Sequence, residues 1–179
     1  MALSSCPITS GITRDCRDAS PGLVNVYAVE YSNYTQGTIT SASGIITNVA
    51  SFLATGKKMW SFEFEYGKAD ETELLTNNTN GTLSNKITLN LYLPKKQAAV
   101  AQQILLLAKQ DTIWMVKDKN GKFRLLGQEF GMRIATVSAA SGKMGNDDSG
   151  YTIVLDGEER TFCLEVSTAL AALLIVAAP

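Results

Sequence analysis

From Trp60 to Tyr66 every second residue is aromatic: Trp60, Phe62, Phe64 and Tyr66 alternate with Ser61, Glu63 and Glu65. A period of two marks an extended strand, whose side chains point alternately to opposite faces. The aromatic face is expected to be buried against Ile87, Leu89 and Leu91, leaving the glutamates toward water. The residues between the aromatics are acidic, whereas a platform for stacking bases interleaves its aromatics with basic residues. Trp60 and Trp114 both fall in strand patterns and are expected inside.

The same period recurs along the chain. Leu23–Tyr31 is β-rich, and an apolar run covers Gly44–Leu53. Lys86–Leu93 alternates with Ile87, Leu89, Leu91 and Leu93 on one side. Thr112–Lys117 and Lys122–Leu126 read as a hairpin, because Asn120-Gly121 between them is a strong two-residue turn signal. Further strands are expected at Gly131–Val137, at Tyr151–Asp156 and, after an Asp156-Gly157 turn, at Arg160–Val166. Only Lys95–Lys109 shows helical spacing, with Ala98, Ala101, Ile104, Leu105 and Ala108 as its apolar stripe and Pro94 suited to its first turn. The Thr-, Asn- and Asp-rich stretch Ala69–Asn85 reads as a long polar loop with Leu74 and Leu75 as its apolar anchor; loops of that length are usually functional or disordered. These elements predict a mainly β fold, an antiparallel β-sandwich or half-barrel with one flanking α-helix. Residues 1–20 read as an N-terminal arm, 21–167 as the β domain and 168–179 as an apolar C-terminal tail. That tail is too short to span a bilayer, which takes about 20 apolar residues, and is expected to cover another subunit or an exposed sheet edge.

Composition narrows the chemistry. Lysine and arginine total 16 against 17 acids, so no general field draws the chain to nucleic acid or to an anionic membrane. Histidine is absent, which removes Ser-His and Cys-His nucleophile pairs and the common zinc sets. Cys6, Cys16 and Cys163 lack redox or zinc spacing and read as free thiols. The stretch from Ala139 to Gly150 holds three glycines, Lys143, Met144 and the adjacent Asp147 and Asp148. It is no P-loop, because Met144 stands where the magnesium-binding hydroxyl belongs. Nor is it a calcium loop of EF-hand type, which alternates oxygen ligands and ends in Glu between helices. It reads as a connection between two strands. Hydrolysis by a carboxylate pair, Asp70 with Glu71 or Asp147 with Asp148, is weighed against the simpler reading of solvated loop acids. No cofactor or metal is expected.

Several motifs, taken in order, resemble a known family. The arrangement is strand, helix, strand, Asp118-Lys-Asn-Gly-Lys122, Leu125-Leu-Gly127, the glycine-rich loop, then Ser149-Gly-Tyr-Thr-Ile153. It resembles a structural protein of tailed bacteriophages, in particular crAss-like and related phages of Bacteroidetes. The resemblance runs from about Asn85 to Phe162, with a weaker echo in Ile12–Cys16 and Pro21–Tyr31. It covers roughly two thirds of the chain and is most specific over Val116–Leu126 and Gly142–Leu155. The C-terminal apolar run departs from the family pattern.

The resemblance implies a tail-tube-like domain that closes into rings, and a virion protein, not an enzyme, assembled in the host cytoplasm. Its partners are then further copies of itself, hexameric as in most tail tubes, together with other head–tail proteins and the genomic DNA that passes through without specific contact. No membrane is involved. Ring stacking is expected through the arm and the polar stretch with Asp70, Glu71, Leu74, Leu75 and Asn80. The lumen is expected to be lined by Glu63 and Glu65, and the loop with Lys143, Met144, Asp147 and Asp148 to reach a neighbouring subunit. The alternative from another class is an adhesive or carbohydrate-binding β domain on the virion surface, which exposed aromatics in a groove would favour.

Overall fold

The computed structural model describes residues 11–12, 20–35, 39–48, 52–144 and 147–175. Most of the N-terminal arm, Cys6 and Cys16 lie outside the described residues. Among the described residues the chain is mainly β, with 51% of them in strands and two helices, and its sheet is a curled, open half-barrel. The strands are β1 (Leu23–Glu30), β2 (Thr40–Ala42), β3 (Ile45–Asn48), β4 (Trp60–Phe62), β5 (Ala69–Asn77) and β6 (Leu83–Pro94). After helix α1 (Ala98–Leu107) follow β7 (Thr112–Asp118), β8 (Phe123–Leu126), β9 (Met132–Ala140), β10 (Gly150–Glu159), β11 (Leu164–Val166) and helix α2 (Thr168–Leu174).

The sheet has two wings. One runs β2-β3-β11-β8-β7-β1-β4 and the other β9-β10-β6-β5, joined by one residue pair, Thr112 on β7 with Met132 on β9. Curling brings the inner faces together over one core. Val26, Ala28, Trp114, Val116 and Leu126 from the first wing share it with Ile87, Leu89, Leu91, Ile153 and Leu155 from the second. Ile104 of α1 packs into this core with Val100 and Ala101. Of the expected apolar stripe only Ala101 and Ile104 face inward, whereas Ala98, Leu105 and Ala108 are exposed. A second core lies on the far face of the first wing. Ile113, Met115 and Leu125 alternate with Trp114, Val116 and Leu126 and meet Phe52, Met59, Ala171 and Leu174. Strand β7 is thus buried on both faces.

Four further sequence expectations are corrected. The stretch Ala69–Asn85 is no loop but a hairpin, with β5 paired to β6 from Ala69↔Leu91 to Asn77↔Leu83. Its tip is turned by Asn80-Gly81, where Gly81 has φ +81° and Asn80 Oδ1 accepts from Thr82 N–H at 3.1 Å. The aromatic face from Trp60 to Tyr66 is only half covered. Strand β4 ends at Phe62, so Phe62 and Phe64 pack on the core while Trp60 stays 65% and Tyr66 76% exposed. Asp156-Gly157 is no turn. Gly157 lies inside β10, where a Cβ would meet Met132 Cγ at 2.9 Å, so the glycine permits close packing at the hinge. Finally, the apolar tail folds back on its own chain. Ser167 Oγ accepts from Leu170 N–H to cap α2, Ala171 and Leu174 are buried, and Met59 N–H donates to Leu174 O at 2.7 Å. Residues 176–179 of that tail lie outside the described residues.

Candidate functional site

The second wing carries features suited to assembly. Its strands β9, β10, β6 and β5 are antiparallel throughout, and β5 and β9 are nine residues each. Among the described residues β5 pairs only with β6, and β9 beyond Met132 pairs only with β10. Both outer strands therefore keep one row of backbone N–H and C=O groups without a strand partner, an edge that soluble proteins ordinarily shield. Ala135 bulges out of the β9–β10 ladder near the hinge, leaving Thr136–Ala140 in regular pairing. The two hairpin tips project at opposite ends of the wing, since β6 pairs Pro94 with Gly150 at one end and Asn85 with Glu159 at the other.

The wing's outer face is polar by strand alternation. Thr72, Thr76, Ser84, Thr88, Asn90, Thr136, Ser138 and Thr152 surround the acids Asp70, Asp156 and Glu158 and the bases Lys86 and Arg133. Asn90 Nδ2 donates to Asp70 Oδ2 at 2.9 Å, and Lys86 pairs with Asp156 at 3.1 Å. Leu74 stands exposed on this face.

The expected site residues form no carboxylate pair, and only those at the β9–β10 tip come together. Asp70 lies outward and Glu71 inward on β5, so the adjacent acids sit on opposite faces and form no carboxylate dyad. Asp147 closes its own loop, its Oδ2 accepting from Lys143 N–H at 2.7 Å and Met144 N–H at 2.9 Å, which holds its carboxyl below the usual range. Asp148 instead binds Lys68, whose ammonium also stands over the Tyr92 ring and 3.6 Å from Glu65. Glu65 thereby belongs to the β9–β10 tip. Glu63 is exposed and borders a groove between β4 and α1 lined by Trp60, Phe62, Phe64, Leu93, Gln103 and Leu107. Leu75 and Asn80 lie exposed toward the β5–β6 tip. With Asp147 and Asp148 both changed to Asn, or Lys143 to Ala, calorimetric melting is expected to stay near the parent's. Calcium or nucleotide binding found in the parent and lost in these variants would overturn the reading of this loop as a plain connection.

Sequence reading missed a polar cluster between the wings. On the inner face of β5, Glu71 and Glu73 stand where apolar residues would be expected, opposite Leu89 and Ile87 of β6. Arg124 of β8 reaches across, its guanidinium 3.0 Å from Glu71 and 3.9 Å from Glu73. Glu73 Oε2 accepts from Asn85 Nδ2 at 3.0 Å and from Cys163 N–H at 2.8 Å. Across β6, buried Glu159 accepts from Gln128 N–H at 2.5 Å. Burial pushes the carboxyls of Glu71 and Glu159 up to about 7, even though Arg124 beside Glu71 acts the other way. Burial likewise pushes the Cys163 thiol up, so it stays protonated and unreactive. Among the described residues no group of acids or cysteines is arranged to hold a metal ion, and no helix is long and apolar enough to cross a membrane.

Comparison with protein-family models, curated proteins and solved structures finds no match for this chain. The functional reading therefore rests on geometry and on the motif resemblance.

Proposed function

We propose that this chain is a structural protein of a tailed-phage virion, and that β9 of one copy pairs with β5 of the next to close a ring. The observation that carries this reading is the second wing: four antiparallel strands with two free edges of equal length. An even number of alternating strands lets the next copy's β9 add antiparallel to β5 without reversing the sheet. Pairing two different edges is a heterologous contact, which forms a ring where the rotation closes. The polar outer face then lines the lumen. Its acids and bases nearly cancel, and hydroxyls dominate, so DNA passes without the phosphate neutralisation that makes it adhere. In such a ring Glu65 sits beside the lumen wall through Lys68 and Tyr92, whereas Glu63 faces the groove against α1 and lies away from it. The hairpin tips, at opposite ends of the wing, are the contacts between stacked rings, with Leu74, Leu75 and Asn80 at one end and Lys143, Met144 and Asp148 at the other. Six copies, other head–tail proteins and passing DNA are the partners this reading implies.

Exposed Trp60 in the groove beside α1 favours a second reading, an adhesive or carbohydrate-binding β domain. Electron microscopy of the purified full chain separates the two. Rings of constant diameter that stack into tubes are expected. A monomer at every concentration, with tryptophan fluorescence that responds to oligosaccharides and loses the response in Trp60→Ala, would replace the ring reading with the second.

A further inference from the structure

We propose that Glu71, Glu73 and Glu159, with Arg124 between the wings, form a proton-sensitive clasp whose proton uptake stabilises the folded chain. The geometry is independent of any ring. Glu71 and Glu73 on the inner face of one wing meet the Arg124 guanidinium on the inner face of the other, and Glu159, across β6 on the same inner face, accepts from Gln128 N–H. Four buried side-chain atoms among the described residues lack a hydrogen-bond partner: Glu71 Oε2, Glu159 Oε2, Asn85 Oδ1 and Gln128 Oε1. All four are oxygens that, on ionised acids and amides, only accept. The cluster is therefore short of donors, and a proton on Glu71 or Glu159 supplies one while removing a buried charge.

The charged groups around the two acids pull in opposite directions. Arg124 favours ionised Glu71, while Glu73 and Asp118 oppose it. Around Glu159, the Gln128 and Glu129 N–H groups favour the anion, and the Glu129 and Glu73 carboxylates oppose it. Tyr31 and Cys163 also sense Glu159, and both stay neutral because their own values are raised. Burial outweighs the favourable contacts, and both acids hold a proton up to about pH 7, against 4.5 for the ordinary carboxyl. The folded chain thus binds more protons than the unfolded one between those values. Stability from this source is fully present below the ordinary value and is lost as pH rises toward about 7. Asp111 and Asp147, whose carboxyls are held low, lose their contribution only at more acidic pH, so the two effects occupy different windows.

The test is the urea midpoint of the full chain across about pH 5 to 8. The parent's midpoint is expected to fall as pH rises and to level off above neutrality. Glu71→Gln and Glu159→Gln are each expected to flatten that fall, and the double variant to abolish it. A parent midpoint that is level or rises with pH, or single variants that keep the parent's slope, would sink the clasp. Should the variants not fold, infrared spectra of the parent carrying labelled glutamate decide: a protonated carboxyl band persisting at about pH 6 supports it, and fully ionised glutamates there refute it.

Discussion

Replacing Trp114 with alanine is expected to lower unfolding free energy by about 3–5 kcal/mol, in the range for large aromatics removed from a core. Trp114 is 1% exposed, sits at the centre of β7 and tilts against Phe62 with ring centroids 5.1 Å apart. Its indole Nε1–H donates to Thr112 Oγ1 at 2.7 Å, and that hydroxyl donates to Met132 O at 3.1 Å. Among the described residues Thr112 and Met132 are the one strand-paired residue pair between the two wings, so the tryptophan both fills the shared core and steadies the hinge. A loss of this size is a large share of the roughly 5–15 kcal/mol that stabilises an ordinary domain. Urea denaturation of Trp114→Ala beside Trp60→Ala checks the argument, because Trp60 is 65% exposed and its loss should cost under about 1 kcal/mol. Equal losses at the two positions would mean that Trp114 does not organise the junction.

What the sequence made legible follows from where apolar residues carry the pattern. Ile87, Leu89 and Leu91 alternate against polar neighbours, and β6 lies where that alternation put it. Asn120-Gly121 turns β7 into β8, and the glycine-rich stretch connects β9 to β10. Strand β5 was hidden because its inward positions hold Glu71 and Glu73 instead of aliphatic residues. Such positions look like solvated loop until Arg124, distant in sequence, is brought opposite them. The legible signals there are Asn80-Gly81 and the carboxylates of Glu71 and Glu73, two residues apart in a Thr-rich stretch. Inward-facing charges on an edge strand are also one way a sheet edge is kept from indiscriminate pairing.

Period two reports which residues share a face, not whether anything covers that face. Trp60 shares the side of Phe62 in β4, yet the core reaches only Phe62 and Phe64, and Tyr66, in the turn beyond the strand, ends beside the Lys119 ammonium instead. Hydropathy alone points the C-terminal run toward another subunit or an exposed sheet edge. Its cap at Ser167 and the slot between Phe52 and Met59 make it part of this chain's own second core.

Replacing Arg124 with methionine tests the polar cluster from its cationic side. The change keeps most of the stem's apolar volume and removes the one basic group that pairs with Glu71 and Glu73 among the described residues. Breaking a buried pair by deleting one partner costs about 3–5 kcal/mol, because the other charge is left buried without compensation. The Glu71 side chain is 2% exposed but that of Arg124 is 38% exposed, so water screens the pair and about 2–3 kcal/mol is the fitting expectation at about pH 8. At about pH 5 Glu71 carries its proton, the guanidinium has less charge to balance, and the loss should shrink to about 1 kcal/mol. Adding Glu71→Gln to Arg124→Met should recover most of the stability at the higher pH, since the stranded charge is gone. Urea curves of the single and double variants at both pH values measure this coupling directly. A loss that is the same at both pH values and is not relieved by Glu71→Gln would assign Arg124 to packing through its stem, with the carboxylates held by their backbone and amide donors alone.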